Sequence, residues 1–451
     1  MQTFPGQDSG LVLKPFRGIR YAPDRTRDIA HVTSPPYDVI GTGVVDDLLT
    51  ADPHNIVRLI LPGASSAGFS LSPSAAGSLA AERLEQWLRS GVLARDPAPA
   101  LYIYEQKTVF QPNAPSFLQR GIIGLVGVGA PSAAGVFPHE EVMPGPVEGR
   151  RALMLATRAN LEPIFLVYNG AGSTGGGPVG GAAVGAASRL VDSVAAGPEG
   201  LILEADTLDG ITHRLWRVTD PDTLAAAAED LAGRTALIAD GHHRYAAYQK
   251  VRASLGPGSG PWDYGLAFLV DADAYPPRLG AIHRVLPGLA ESAAARQASS
   301  AFSVTPLPDD FETALARLAS AGNEGHAFVL AGSRGFQLLT APDPARVSAA
   351  MPPGRSARWR ALDAAVLQEL LLGDLWGIRD NERDVLVSHD AAEAVRMARS
   401  GGSAGGTAVI CNPVPFGAVR DIAAGGECVP RKSTSFGPKP RTGLILRAFD
   451  D

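Results

Sequence analysis

In the stretch Ile238-Ala239-Asp240-Gly241-His242-His243-Arg244-Tyr245, an apolar run ends in Asp-Gly and is followed at once by two histidines and an arginine. A strand that turns through Asp240-Gly241 into a helix presents the helix's first backbone N–H groups and the positive end of its dipole to an anion. Glycine permits the close approach. Arg244 offers a planar, always-charged fork for phosphate oxygens, and His242 and His243 offer further donors. Side-chain cations oppose the dipole at a helix start, so their presence there points to an anionic partner. The bland alternative has Asp240 capping the helix and both histidines satisfying buried backbone groups.

A second candidate is Phe137-Pro138-His139-Glu140-Glu141-Val142-Met143-Pro144-Gly145-Pro146, read as a proline-stiffened loop that presents a histidine beside two carboxylates. Glu140 is the preferred base, with His139 beside it. Taking the proton of a hydroxyl that attacks a γ-phosphate needs only a positioned carboxylate, because phosphoryl transfer depends mainly on alignment and charge neutralisation. Asp38 competes for that role, and Asp240 is the candidate ligand for Mg²⁺. Zinc at His139 lacks a third ligand, and exposed carboxylates with a neighbouring histidine are the plain alternative.

Two further elements complete the expected site. Asn55 and Arg58 share a face if their segment is helical, but Ile56-Val57 argues for a strand; Arg58 is a candidate phosphate ligand. From Lys432 to Gly443, hydroxyls alternate with cations between prolines and glycines, so Lys432, Ser433 and Thr434 are candidates to close over phosphates. A solvated basic loop is the competing reading. The glycine cluster Ser173-Thr174-Gly175-Gly176-Gly177 lacks the Gly-Lys-Ser/Thr ending of a phosphate loop and reads as a surface insertion within Gly170 to Gly185. Glycines at Gly63 to Gly77, Gly256 to Gly260 and Gly401 to Gly406 mark further loops.

The turn Asp240 to Tyr245 resembles the Gly-Cys-His-Arg-Tyr phosphate motif of sulfiredoxins and the Gly-Glu-Arg-Arg box of ParB-type partition proteins, a fold shared by free serine kinases. His242 stands where sulfiredoxins carry their cysteine, so the resemblance implies phosphate binding without that redox chemistry. Lys14-Pro15-Phe16-Arg17-Gly18, Ser34-Pro35-Pro36-Tyr37-Asp38-Val39-Ile40, His54 to Leu59, Pro138-His139-Glu140, Met143 to Pro146, Arg158 to Leu161 and Pro430 to Thr434 resemble the domain of unknown function 1015 family. Together they span nearly the whole chain, and Ile282-His283-Arg284 adds a strand-end element. Arg431, Ser435 and Gly437 depart from the family's usual proline and aromatics. The resemblance implies a ParB/sulfiredoxin-like nucleotide-binding core, ATP or ADP with Mg²⁺, and phosphoryl transfer to the hydroxyl of a small metabolite, free serine being the leading example. A nucleotide-sensing switch that recruits a partner, and a hydrolase of phosphate esters or nucleotides, are the alternatives.

The elements that must position these groups alternate. Ile56 to Leu61, Leu101 to Phe110, Gly121 to Val128, Ile164 to Tyr168, Leu237 to Ala239, Val385 to Ser388 and Ala408 to Cys411 read as strands or short apolar runs. Ala80 to Arg89, Leu153 to Ala159, His243 to Ala253, Ala361 to Leu372 and Ala391 to Arg399 read as helices. The class is mixed α/β (α+β). The expected organisation is a composite core over 14–290 with a β-rich insertion near 95–220, a small α/β segment over 291–350, and a C-terminal α/β region over 351–451 carrying the Lys-Ser-Thr loop.

With 45% hydrophobic and 19% charged residues, the 451-residue chain buries enough apolar surface to fold. A net charge of −6 argues against general nucleic-acid coating. Two cysteines, Cys411 and Cys428, allow neither a disulfide framework nor a cysteine zinc site. Met1 to Gly10 shows no basic segment followed by an apolar run, and no stretch of about 18 apolar residues occurs. A cytoplasmic protein without a membrane span is expected, with a homodimer left open.

Overall fold

The computed structural model describes all residues except 1–9, 27, 66–67, 70, 109–116, 130–134, 171–184, 257, 382, 401–404 and 451. The glycine cluster at 173–177 therefore lies outside the described residues. Strands form where β-branched and aromatic residues concentrate: β1 (Leu13–Lys14), β2 (Leu101–Thr108), β3 (Leu118–Gly127), β4 (Val136–Phe137), β5 (Ile164–Tyr168), β6 (Leu201–Asp206), β7 (Ile211–Val218), β8 (Ala236–Asp240) and β9 (Tyr264–Asp271). They form one mixed sheet in the order β6-β7-β2-β3-β9-β5-β8-β4, with β1 also on β3. All five residues of β5 are buried, as a central strand with both faces covered requires. It runs parallel to β9 and antiparallel to β8.

Helices of the same unit include α1 (Val57–Ile60), α2 (Pro73–Arg89), α3 (Pro144–Thr157), α4 (Ala186–Ala195), α5 (Pro221–Ala232) and α6 (His242–Ser254). One core joins Leu101, Ile103, Ile122, Leu166, Tyr245 and Tyr248; another joins Ile56, Leu84, Trp87 and Leu446. The chain divides into two units, the first comprising 1–138, 142–277 and 438–451, the second 139–141 and 278–437. The tail 438–451 thus counts with the first unit, whereas sequence alone groups it with 351–451.

The second unit carries an antiparallel sheet of β10 (His283–Leu286), β11 (Ser303–Leu307), β12 (Phe328–Gly332), β13 (Gly335–Thr340), β14 (Leu386–Ser388) and β15 (Thr407–Cys411). Its order is β11-β13-β12-β15-β10-β14. Val285, Leu318, Val329, Phe336, Val395 and Ile410 make its core, to which α7 (Phe311–Gly322) and α10 (Ala391–Arg399) contribute; α8 (Pro344–Ala350) and α9 (Ala357–Arg360) lie between them in sequence.

Several local expectations change. Val57–Ile60 is helical, not extended: Asn55 Oδ1 accepts the Val57 N–H at 2.9 Å, and burial of Val57, Leu59 and Ile60 outweighs β-branched preference. Met143 to Pro146 is no loop, because Pro144 opens α3, where a missing N–H costs nothing. Gly77 lies inside α2, and a Cβ there would come within 3.0 Å of Ala152 O and Ala156 Cβ of α3, so this glycine sets the approach of two helices. The helix expected from Ala361 is split into Asp363–Ala365 and a more widely wound turn over Val366–Leu375. Among the described residues no helix is long and apolar enough to cross a membrane.

Candidate functional site

β8 ends at Asp240, all five of its residues buried. Its pairing with β5 slips between Phe165 and Leu166, so that Phe165 faces Asp240 while Leu166 faces Ile238. Such a bulge re-aims the side chain beside it. Gly241 follows with φ +94°, a conformation that favours glycine, and α6 begins at His242 with no side-chain cap. Asp240 therefore does not cap the helix. Its Oδ2 accepts from Arg244 Nη2 at 2.5 Å, and its Oδ1 lies 2.5 Å from Lys439 Nζ.

Arg244 is 1% exposed, and its Nη1 donates to the Pro163 carbonyl at 2.5 Å. Burial disfavours its charge, but Asp240, Glu162 and Asp38 more than offset this and raise its pKa. The guanidinium turns inward to the turn's own carboxylate, not outward as an open fork. His243 Nε2 accepts the Met143 N–H at 3.1 Å, and His242 is buried at the start of the helix.

Lys439 is the group that sequence reasoning passed over. It stands between Pro438 and Pro440, which restrict its backbone and remove two N–H donors. The sheet holds this segment by its carbonyls: Gln119 Nε2 donates to Pro438 O and Gln106 Nε2 to Lys439 O, both at 2.8 Å. Beyond it, Thr442 and Ser34 exchange backbone hydrogen bonds of 2.9 and 3.1 Å. Lys439 Nζ is thereby placed 3.3 Å from Asp38 Oδ2 as well as beside Asp240.

Asp38 sits in the short turn Tyr37–Val39, whose Tyr37 N–H donates to Glu162 Oε1 at 3.1 Å. Arg150 lies over the Tyr37 ring at 4.1 Å and 3.6 Å from Glu162 Oε2. Burial pushes the Asp38 pKa up, but Lys439 and Arg244 outweigh it and hold it below the usual range, so the carboxyl is ionised at neutral pH. The same two carboxylates raise the pKa of Lys439 against its own burial. Side-chain exposures of 22% for Lys439 and 29% for Asp38, against 7% and 1% for Asp240 and Arg244, make an outer pair that solvent reaches and an inner pair that backs it.

The Mg²⁺ expected at Asp240 does not fit this arrangement, because each of its oxygens already faces a cation. Among the described residues no group of three or more His, Cys, Asp or Glu is arranged to hold a metal ion.

In the second unit, His139 Nε2 lies 2.8 Å from Thr434 Oγ1, which donates to Glu140 Oε1 at 3.0 Å. The hydroxyl has one proton, so the imidazole must donate to it. Ser433 Oγ donates to the Pro430 carbonyl. Lys432 takes a left-handed φ of +54°, and its carbonyl, with that of Arg431, accepts from buried Arg284 at 3.0 and 2.8 Å. The basic loop is thus built around an internal arginine. Arg58 of the first unit donates to the Leu49 carbonyl at 2.6 Å. Burial raises both cysteine thiols, Cys411 to about 12, which leaves neither a thiolate nucleophile.

A family model described as protein of unknown function (DUF1015) matches residues 13–365. The chain belongs to the DUF1015 family. No curated protein matches this DUF1015 chain. Among solved structures it is similar to a mutant free serine kinase in complex with ADP, at 13% identity over 67% of this chain and 84% of that one, TM-score 0.34. It is also similar to SbnI with a C-terminal truncation from Staphylococcus aureus, at 11% identity over 71% and 84%, TM-score 0.33. A conserved hypothetical protein from Pyrococcus furiosus overlaps at 13% identity over 67% and 87%, TM-score 0.30. Overlaps this loose transfer no residue roles to the DUF1015 chain.

Proposed function

We propose that the protein is a nucleotide-dependent phosphotransferase acting on the hydroxyl of a small metabolite, with its site at the turn from β8 into α6. The observation that carries this reading is Lys439 Nζ held between Asp38 and Asp240 beside the uncapped start of a helix. A helix N-terminus and an ammonium neutralise phosphate oxygens together. Asp38, ionised and on the solvent side, takes the proton of the acceptor hydroxyl as its oxygen bonds to the γ-phosphorus of ATP (the β-phosphorus, if ADP is the donor). The bond to the leaving nucleotide then breaks. Asp240 and Arg244 position Lys439 and the turn. Glu140, hydrogen-bonded to Thr434, has no step in this scheme, and none is routed through Mg²⁺.

The test is ³¹P NMR of the full chain with ATP or ADP and a panel of small hydroxyl compounds, serine first. A phosphorylated alcohol should appear, and Asp38→Asn should lower kcat roughly 10²–10⁴-fold with nucleotide affinity nearly kept. Nucleotide binding without turnover would favour a sensing switch, and no nucleotide binding at all would end both readings.

A further inference from the structure

The second unit contains a cavity of about 910 Å³, within the roughly 300–1,000 Å³ typical of small-molecule sites. Ala321 of α7, Leu338 of β13 and Val347 of α8 supply apolar wall. The ionisable side chains on its lining are Arg317, Glu324, His326 and Arg360. Arg360 gives its guanidinium to two backbone carbonyls, Arg355 at 3.1 Å and Pro352 at 3.3 Å, which leave its charge uncancelled. Arg317 makes no ion pair among the described residues. On the lining itself two arginines stand against one glutamate, while the carboxylate of Asp363, outside the lining, is turned to His326 Nδ1.

His326 adds a fixed polar edge. Its Nδ1 lies 2.6 Å from Asp363 Oδ1. An ionised carboxylate only accepts, so Nδ1 carries the hydrogen. Two arginines against one glutamate on the lining match one negative group better than two. We propose that this cavity binds a small monocarboxylate with an apolar body, independently of the phosphotransferase reading.

Octanoate titrated calorimetrically into the full chain tests this, with 1-octanol and octyl phosphate in parallel. One saturable octanoate site is expected, with octanol about tenfold weaker or worse for want of the charge-assisted contact, and octyl phosphate no tighter than octanoate. Arg317→Met should weaken octanoate about tenfold without lowering the unfolding midpoint, since the side chain is exposed. Ser348→Trp, on the exposed lining, should block the cavity. Absence of saturable octanoate binding, binding indifferent to both substitutions, or tighter binding of octyl phosphate would overturn the proposal.

Discussion

The ammonium of Lys439 rests 2.5 Å from Oδ1 of Asp240, while Arg244 holds the other oxygen of the same carboxylate. One buried acid is therefore clamped between a cation four residues on and a cation from the far end of the chain.

Removing the distant cation should be costly. Lys439→Met leaves Asp240 buried with half its compensation and should lower stability by roughly 2–4 kcal/mol in urea unfolding. The double variant with Asp38→Asn should lose less than the sum of the two single losses, because both groups belong to one cluster. Additive losses would show that Lys439 and Asp38 are uncoupled.

Gly241→Ala tests the turn without touching a charge. The backbone stands at φ +94°, and a Cβ would meet Ile164 Cγ2 at 3.0 Å and Arg244 Nε at 3.1 Å. A cost of roughly 1–3 kcal/mol is expected from backbone strain and crowding. An unchanged midpoint would mean that the turn relaxes freely.

Base assignment separates two carboxylates. Under the proposed chemistry Asp38→Asn loses turnover, whereas Glu140→Gln, which keeps an oxygen for the Thr434 hydroxyl, should change kcat by less than about threefold. The reverse ranking in a steady-state assay would move the base to Glu140.

Acid should weaken the fold through two histidines. Burial lowers His213 and His283 to about 4, while an unfolded imidazole takes its proton near pH 6.5. Between those values the unfolded state binds more protons, so stability falls as pH drops through the window. Asp38, held below its ordinary range, adds a further loss at lower pH, as acid protonates a carboxylate that the fold keeps ionised. Urea midpoints at pH 7 and pH 5 should differ, and His213→Gln should shrink the difference; an unchanged difference would show that His213 does not titrate differently in the two states.

The strand, turn and helix around Asp240-Gly241 were legible in the sequence, because an apolar run, an Asp-Gly pair and a polar helix start act over a few residues. So were Ile164–Tyr168 and Ala391–Arg399, whose patterns are local. The direction of Arg244 was not: the dipole argument sends it outward, whereas its spacing of four from Asp240 allows the inward pair that burial selects. Only the tertiary structure decided that Lys439 joins Asp38 and Asp240. No local rule names partners so far away in the chain. That choice depends on sheet side chains, Gln106 and Gln119, gripping the tail by its carbonyls, and hence on long-range packing that exists only once the sheet has formed.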